Sequence, residues 1–381
     1  MSRLCSLIVA IVLFLGSNLF SEDLVQSLNS GTLNNPQVEK SEYGKMPTGE
    51  TVYQYKLTNS KGISATLIDY GAALISLKVP DRNGNVEDIV LGYDNLEGYI
   101  NDNANFGGTI GRYANRIANG AFTINGQTYS VAKNDNGVNH IHGGIKRFNK
   151  VLWKGEEFKN GGDSGVKFHY LSKDGEEGYP GNLNVDVTYI LGVDRLTINY
   201  EATTDKPTVI NLTNHSYFNL HDTGISDVLS HLAKINAEKY TPVDNNLIPT
   251  GEIQTVIGTP LDFTNWKAIG QDIDKVSPGY DFNYVLNKAS GDLLTLAAAA
   301  YDKESGRELT LYTTEPGVQF YTGNYLDGIK GKYGVTYKKY HAFCFEPQHY
   351  PDSPNHSEFP STLLNPGQTY KQTSIYIISV N

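Results

Sequence analysis

The stretch LNVDVTYILGVDRLTINYEA, residues 183–202, decides the fold class. Apolar and polar residues alternate from Leu183 to Leu191 and again from Leu196 to Ala202, with Gly192-Val193-Asp194 between the two runs. Successive strand side chains point to opposite faces, so the pattern predicts two half-buried strands joined as a hairpin. Further out, Phe122-Thr-Ile and Thr128-Tyr-Ser-Val flank Asn125-Gly126, a pair suited to the two-residue turn of antiparallel strands. Asn83-Gly84 and Asp174-Gly175 are pairs of the same kind. No helix-period stretch exceeds a few turns; Leu293 to Tyr301 is the best short candidate and reads equally well as strand. No Gly/Ser-rich or Pro-rich linker divides Tyr53 to Val380, and no fixed-period repeat is visible. The chain is therefore expected to be all-β, with one large antiparallel β-sandwich over residues 50–381.

The first 21 residues have a different character. Arg3, an apolar run from Leu7 to Leu15 and then small polar residues follow the order of a secretory signal peptide, with cleavage expected between Gly16 and Glu22. The run is too short to span a bilayer, so the mature chain is expected to be exported, periplasmic or extracellular, and free of the membrane. Residues 22–49 are polar without a sustained apolar period and read as an N-terminal arm preceding the fold. The net charge of −10 argues against a nucleic-acid or anionic-lipid partner. With Cys5 in the leader and Cys344 the one other cysteine, no intramolecular disulfide is available to the mature chain.

Five polar clusters stand out against the strand background: Gly111-Arg-Tyr-Ala-Asn-Arg116, Asn139-His-Ile-His-Gly-Gly144, Asn211-Leu-Thr-Asn-His-Ser-Tyr-Phe-Asn219, Gly279-Tyr-Asp-Phe-Asn283 and Phe343-Cys-Phe-Glu-Pro-Gln-His349. Each mixes imidazole, carboxylate, amide or guanidinium with aromatic rings. That combination hydrogen-bonds sugar hydroxyls while stacking on the apolar face of a pyranose. A sixth segment, Thr314-Glu-Pro-Gly-Val-Gln-Phe-Tyr-Thr-Gly-Asn324, lies between the fourth and fifth.

In this order the six segments resemble the aldose 1-epimerase (galactose mutarotase) family, from roughly Tyr53 to Tyr376. The resemblance implies a galactose mutarotase-like β-sandwich and an enzyme, an isomerase, that interconverts the α and β anomers of free aldohexoses such as galactose and glucose. It further implies His215 as general acid and Glu346 as general base. Asn115, Arg116, His142, Ser216, Tyr217, Asp281 and Gln319 are the implied substrate-binding positions. Opening a hemiacetal removes a proton from the anomeric hydroxyl and delivers one to the ring oxygen. No electron moves, so no cofactor and no metal is expected. Glutamate is ionised by default and histidine titrates near neutrality, so the pair covers both transfers.

Other readings of the same residues compete with this one. His140 and His142, two apart, have a spacing also found in metal sites, although His140 departs from the family pattern, as does Tyr113. Glu346 and Asp281 could form the carboxylate pair of a glycosidase. A hexose-6-phosphate epimerase would need cations at the cleft, yet the matched clusters contain only Arg116, with Arg112 just before it. A carbohydrate-binding module would need aromatic platforms but no proton pair. The sequons at Asn211, Asn214 and Asn355 are expected to be fortuitous. Nothing in the sequence separates a monomer from a homodimer.

Overall fold

The computed structural model describes residues 36–288 and 294–381. The expected signal peptide lies outside the described residues. The hairpin at 183–202 forms as the alternation requires. Leu183–Leu191 pairs antiparallel with Arg195–Thr204, and Leu183, Val185, Val187, Tyr189 and Leu191 are all buried. These two strands are the third and fourth of a nine-stranded antiparallel sheet. Its order runs Lys154–Asn160, Asp163–Ser172, Leu183–Leu191, Arg195–Thr204, Tyr370–Val380, Arg307–Thr313, Thr295–Tyr301, Leu232–Ile235 and Lys267–Ala268. Asn125 and Gly126 both take positive φ and close the Ala121–Ile124/Gln127–Ser130 hairpin, the backbone that an Asn-Gly turn favours.

A five-stranded sheet from Gln37 to Asp88 and a second five-stranded sheet complete the framework. The second is ordered Gln254–Thr255, Lys239–Tyr240, Asp281–Val285, Gly317–Tyr321 and Cys344–Gln348. Leu57 and Leu77 of the N-terminal sheet, Val185, Ile198 and Leu309 of the long sheet, and Val318, Phe320 and Phe345 of the last share one continuous apolar core. Removal of this surface from water is the main force holding the layers together.

One expectation changes and one open alternative is resolved. The arm read over residues 22–49 contains the strand Gln37–Lys45, paired along its length with Thr51–Thr58, so the fold starts before residue 50. This strand stands at the sheet edge and is mostly exposed, which is why no apolar period marks it. At Leu293–Tyr301 the strand reading holds over Thr295–Tyr301; Leu293 itself lies outside the described residues. Ala297 to Ala300 are all buried inside the nine-stranded sheet, and burial on both faces removes the alternation that identifies a strand.

Candidate active site

The floor of the site is the face of the second five-stranded sheet opposite the core. Across its antiparallel pairs Asp281 faces Tyr321, Gln319 faces Glu346, and Tyr321 faces Cys344. Residues of this parity point one way, while Tyr284, Val318, Phe320 and Phe345 point into the apolar core. The segment Phe343-Cys-Phe-Glu-Pro-Gln is thus a strand with a chemical face and a packing face. The bridge from Phe218 to Phe343 brings the Asn211–Asn219 segment alongside, and His215 is fixed through backbone hydrogen bonds to Gly107 and Gly108. Arg116–Ile117 pairs with His140–Ile141, which delivers Asn115, Arg116 and His142 to the same place.

These elements enclose a cleft of about 940 Å³ lined by Asn115, Arg116, His142, His215, Tyr217, Asp281 and Glu346. Glu346 is 2% exposed, and its Oε2, which has no hydrogen-bond partner among the described residues, lies 3.7 Å from His215 Nε2. The His215 ring stacks on Tyr217, centroids 5.0 Å apart, and meets His142 edge-on at 5.4 Å. His142 Nδ1 accepts from the Asn115 backbone N–H at 3.2 Å. The proton of its neutral ring therefore sits on Nε2, ready to donate. Arg116 Nε donates to Asp135 at 2.9 Å, and Asp281 accepts from Gln319 Nε2 at 2.7 Å.

Burial sets the electrostatics. It pushes the Glu346 carboxyl well above the usual carboxylate range, and Asp281 beside it adds to the rise. Burial also holds His215 down at about 3, with the Arg147 charge contributing, and depresses His142 well below its ordinary value. The expectation of an ionised glutamate beside a readily charged histidine is corrected here. Desolvation disfavours both charges, so it shifts any proton the pair holds toward the carboxyl, from which either group can pass it on.

Two expected binding residues stand apart from the cleft wall. Ser216 follows His215 on an extended segment, so its side chain turns to the other side, where the hydroxyl donates to Asn214 at 2.5 Å. Gln319 lies behind Asp281 and holds it, itself receiving a hydrogen bond from Gln348 at 3.3 Å. His140 does not join His142. Its Nδ1 lies 2.7 Å from the Ala132 carbonyl oxygen and its Nε2 meets the Tyr179 hydroxyl, because the positive φ of His142 breaks the strand alternation between them. Arg112 is buried on the carbonyls of Ser172, Pro180 and Gly181, and Tyr113 on that of Tyr350. Asn211 and Asn214 are buried and hydrogen-bonded, which leaves no room for a glycan.

The structure adds residues that the sequence reading passed over. Lys146, Arg147 and Lys150 line the cleft, as do Asp102, Tyr321 and Tyr325. For the three cations the signal was the basic run beginning at Lys146, just outside a matched cluster, and Tyr321 stood within the sixth segment. Tyr325, 61% exposed, stacks on Tyr321 and offers an aromatic face beside the cleft. His215, Cys344 and Glu346 present ligand-type atoms within 4.8 Å of one another, a grouping that attention to His140 and His142 missed. Burial pushes the Cys344 thiol well up, which disfavours the thiolate a metal would require.

Residues 53–376 match the aldose 1-epimerase family. Bos taurus galactose mutarotase is 44% identical over 346 residues, covering 90% of this chain and 99% of the relative. The Escherichia coli aldose 1-epimerase is 39% identical, covering 87% and 96%. Among solved structures, the galactose 1-epimerase of Lactobacillus acidophilus superposes with a TM-score of 0.80 at 25% identity, covering 91% of this chain and 99% of its own. The aldose epimerase homologue of C. elegans gives 0.78 at 31%, with the same coverage. Similarity of this extent, running through every segment that builds the cleft, places the chain in the aldose 1-epimerase family.

Proposed function

We propose that the protein is an aldose 1-epimerase that interconverts the α and β anomers of free aldohexoses such as galactose and glucose, with His215 and Glu346 moving the protons. One observation supports the assignment of these two residues above others: a buried carboxylate oxygen without a protein partner stands 3.7 Å from an imidazole nitrogen in a cleft of sugar size. A buried polar atom left unpaired costs about 1–3 kcal/mol, and a sugar hydroxyl removes that cost by binding there.

The reaction follows from the shared proton. One member of the pair takes the proton of the anomeric hydroxyl while the other protonates the ring oxygen, and the C1–ring-oxygen bond breaks to leave an open-chain aldehyde. Rotation about C1–C2 presents the other carbonyl face, and closure runs both transfers backward. The acid of opening is then the base of closing, so each member of the pair must give a proton in one direction and take it back in the other. The Nε2–H of His142 and the Gln319-held carboxyl of Asp281 fix hydroxyls of the ring, which supplies orientation.

Polarimetry of freshly dissolved α-galactose and α-glucose tests this reading. The purified protein is expected to speed the approach to equilibrium rotation well beyond the buffer rate; a rate equal to buffer for both sugars overturns it. Export through residues 1–21 forms part of the same proposal, supported by the order of Arg3, the Leu7–Leu15 run and the small residues after it. N-terminal sequencing of protein from its native host should find a start after about residue 16, and an intact Met1 would refute export.

A further inference from the structure

We propose that Arg147 forms a subsite for an anionic substituent, so that the cleft takes aldoses bearing a carboxylate or phosphate remote from C1 better than their neutral parents. The inference rests on the epimerase reading of the same cleft and concerns which aldoses it prefers.

Four lysine and arginine side chains line the cleft wall. Arg116 is paired with Asp135. The Lys150 ammonium donates to the carbonyl oxygens of Tyr99, Ile100 and Asp102. Lys146 is exposed to solvent. Arg147 differs from all three. Its guanidinium makes neither hydrogen bond nor ion pair among the described residues, and its Nε is fully shielded from solvent. The acids nearest to it are already engaged. Asp102 accepts from the Tyr93 hydroxyl and from the backbone N–H groups of Ala104 and Phe106, and Glu177 accepts from those of Ile145 and Lys146. Asp102 and Glu177 attract the guanidinium only at a distance, and a largely desolvated guanidinium whose donors lack acceptors is costly unless something completes it.

Its placement is firm. The Glu177 carboxylate grips the loop at Ile145 and Lys146, Phe148 N–H donates to the Gly111 carbonyl, and Lys150 N–H donates to that of Arg147. Asn134 holds the preceding turn through the carbonyls of Ile141 and Gly144. A backbone clamped on both sides presents its side chain with little ordering left to lose on binding. Arg147 lines the same cleft as His215 and His142, and its charge reaches both imidazoles. An anion meeting Arg147 therefore belongs to the molecule whose C1 lies at the proton pair. The guanidinium fork matches the paired oxygens of a carboxylate or phosphate, whereas a single sugar hydroxyl offers one acceptor to a donor fork.

The test compares three sugars, galactose, galacturonate and galactose 6-phosphate, on the wild-type protein, Arg147→Gln and Arg147→Lys at fixed ionic strength. Anomer exchange followed by NMR gives kcat and KM for each. The wild type should show a KM for at least one anionic sugar about tenfold or more below that of galactose. Arg147→Gln should raise the ratio of anionic to neutral KM by roughly 10- to 100-fold, the scale of one charge-assisted hydrogen-bonded contact. Arg147→Lys, which keeps the charge without the fork, should recover part of the preference. The sugar that responds identifies the anion as carboxylate or phosphate. Anionic sugars no better than galactose in the wild type, or an equal effect of Arg147→Gln on all three, overturn the subsite. If no sugar is turned over, the same ratios measured as Kd by calorimetry decide the matter separately. Arg147-dependent binding would then sustain the subsite while the epimerase reading fails, and binding indifferent to Arg147 would sink both.

Discussion

Two glutamate–histidine pairs, each with a buried glutamate, stand at the same five-stranded sheet, and they differ in what they leave unsatisfied. Glu315, 1% exposed, stands just before the strand Gly317–Tyr321, and His349 stands just after Cys344–Gln348. One Glu315 oxygen lies 2.6 Å from His349 Nδ1 and the other accepts from the Tyr370 hydroxyl at 3.0 Å. The His349 backbone N–H is in turn held by Asn211 at 2.9 Å. Glu346 and His215 are both buried, yet they sit 3.7 Å apart with one carboxylate oxygen unpaired among the described residues. The first pair is closed and ties strands together. The second is open toward the cleft. Residue types are the same and both glutamates are buried, although His349 is only half-buried where His215 is buried; the missing partner is what separates chemistry from structure.

The strongest way to break this comparison is Glu346→Gln, which keeps shape and hydrogen-bonding capacity but removes the transferable proton. The rate of anomer exchange should fall by about 10²- to 10⁴-fold, mostly in kcat, because the lost interaction belongs to the transition state. Thermal stability should hold or rise, since an unpaired buried carboxyl is replaced by a neutral amide. Near-wild-type turnover, read by NMR exchange, would remove Glu346 from the proton pair and direct attention to Asp281. Glu315→Gln should do the opposite. Loss of the contact to His349 should lower stability by about 1–3 kcal/mol in urea unfolding, with kcat changed by no more than a few fold. A large drop in kcat at unchanged stability would show that the closed pair takes part in catalysis.

The two pairs also show what the sequence could reveal. The long hairpin of residues 183–202 was legible because its strands are buried on alternate residues, and Glu346 was legible because Phe345 and Pro347 flank it in a recognisable segment. The edge strand Gln37–Lys45 was not, since edge strands face water and lose the apolar period. Ser216 was misplaced because a motif lists neighbours while an extended backbone sends them to opposite sides. The protonation of Glu346 and His215 was misjudged for a different reason: reference titration values describe groups in water, and desolvation is a property of the folded cleft. Arg147 shows the converse case. Its sequence neighbours announce a charged loop, but only the structure shows that every nearby acid is already engaged.

The smallest expected effect sharpens the comparison most finely, because it asks about the proton itself. If His215 had the ordinary histidine value near 6.5 and had to be neutral in the free enzyme, kcat/KM would fall roughly thirtyfold between pH 8 and pH 5. Burial holds its conjugate acid at about 3, so the ring gains no proton over that range. Glu346 moves the other way: its raised carboxyl keeps a proton where a free glutamate has lost one, and activity should decline only on the alkaline side as that proton leaves. After subtraction of the buffer-catalysed rate, kcat/KM should therefore stay within about twofold of its pH 7 value down to pH 5. Glu315→Gln should leave this profile unaltered, since its pair does not exchange protons with the sugar. A break near pH 6.5 in the wild type would mean that solvent reaches the imidazole in solution. The one-proton account of the Glu346–His215 pair would then give way to a histidine titrating independently of its neighbour.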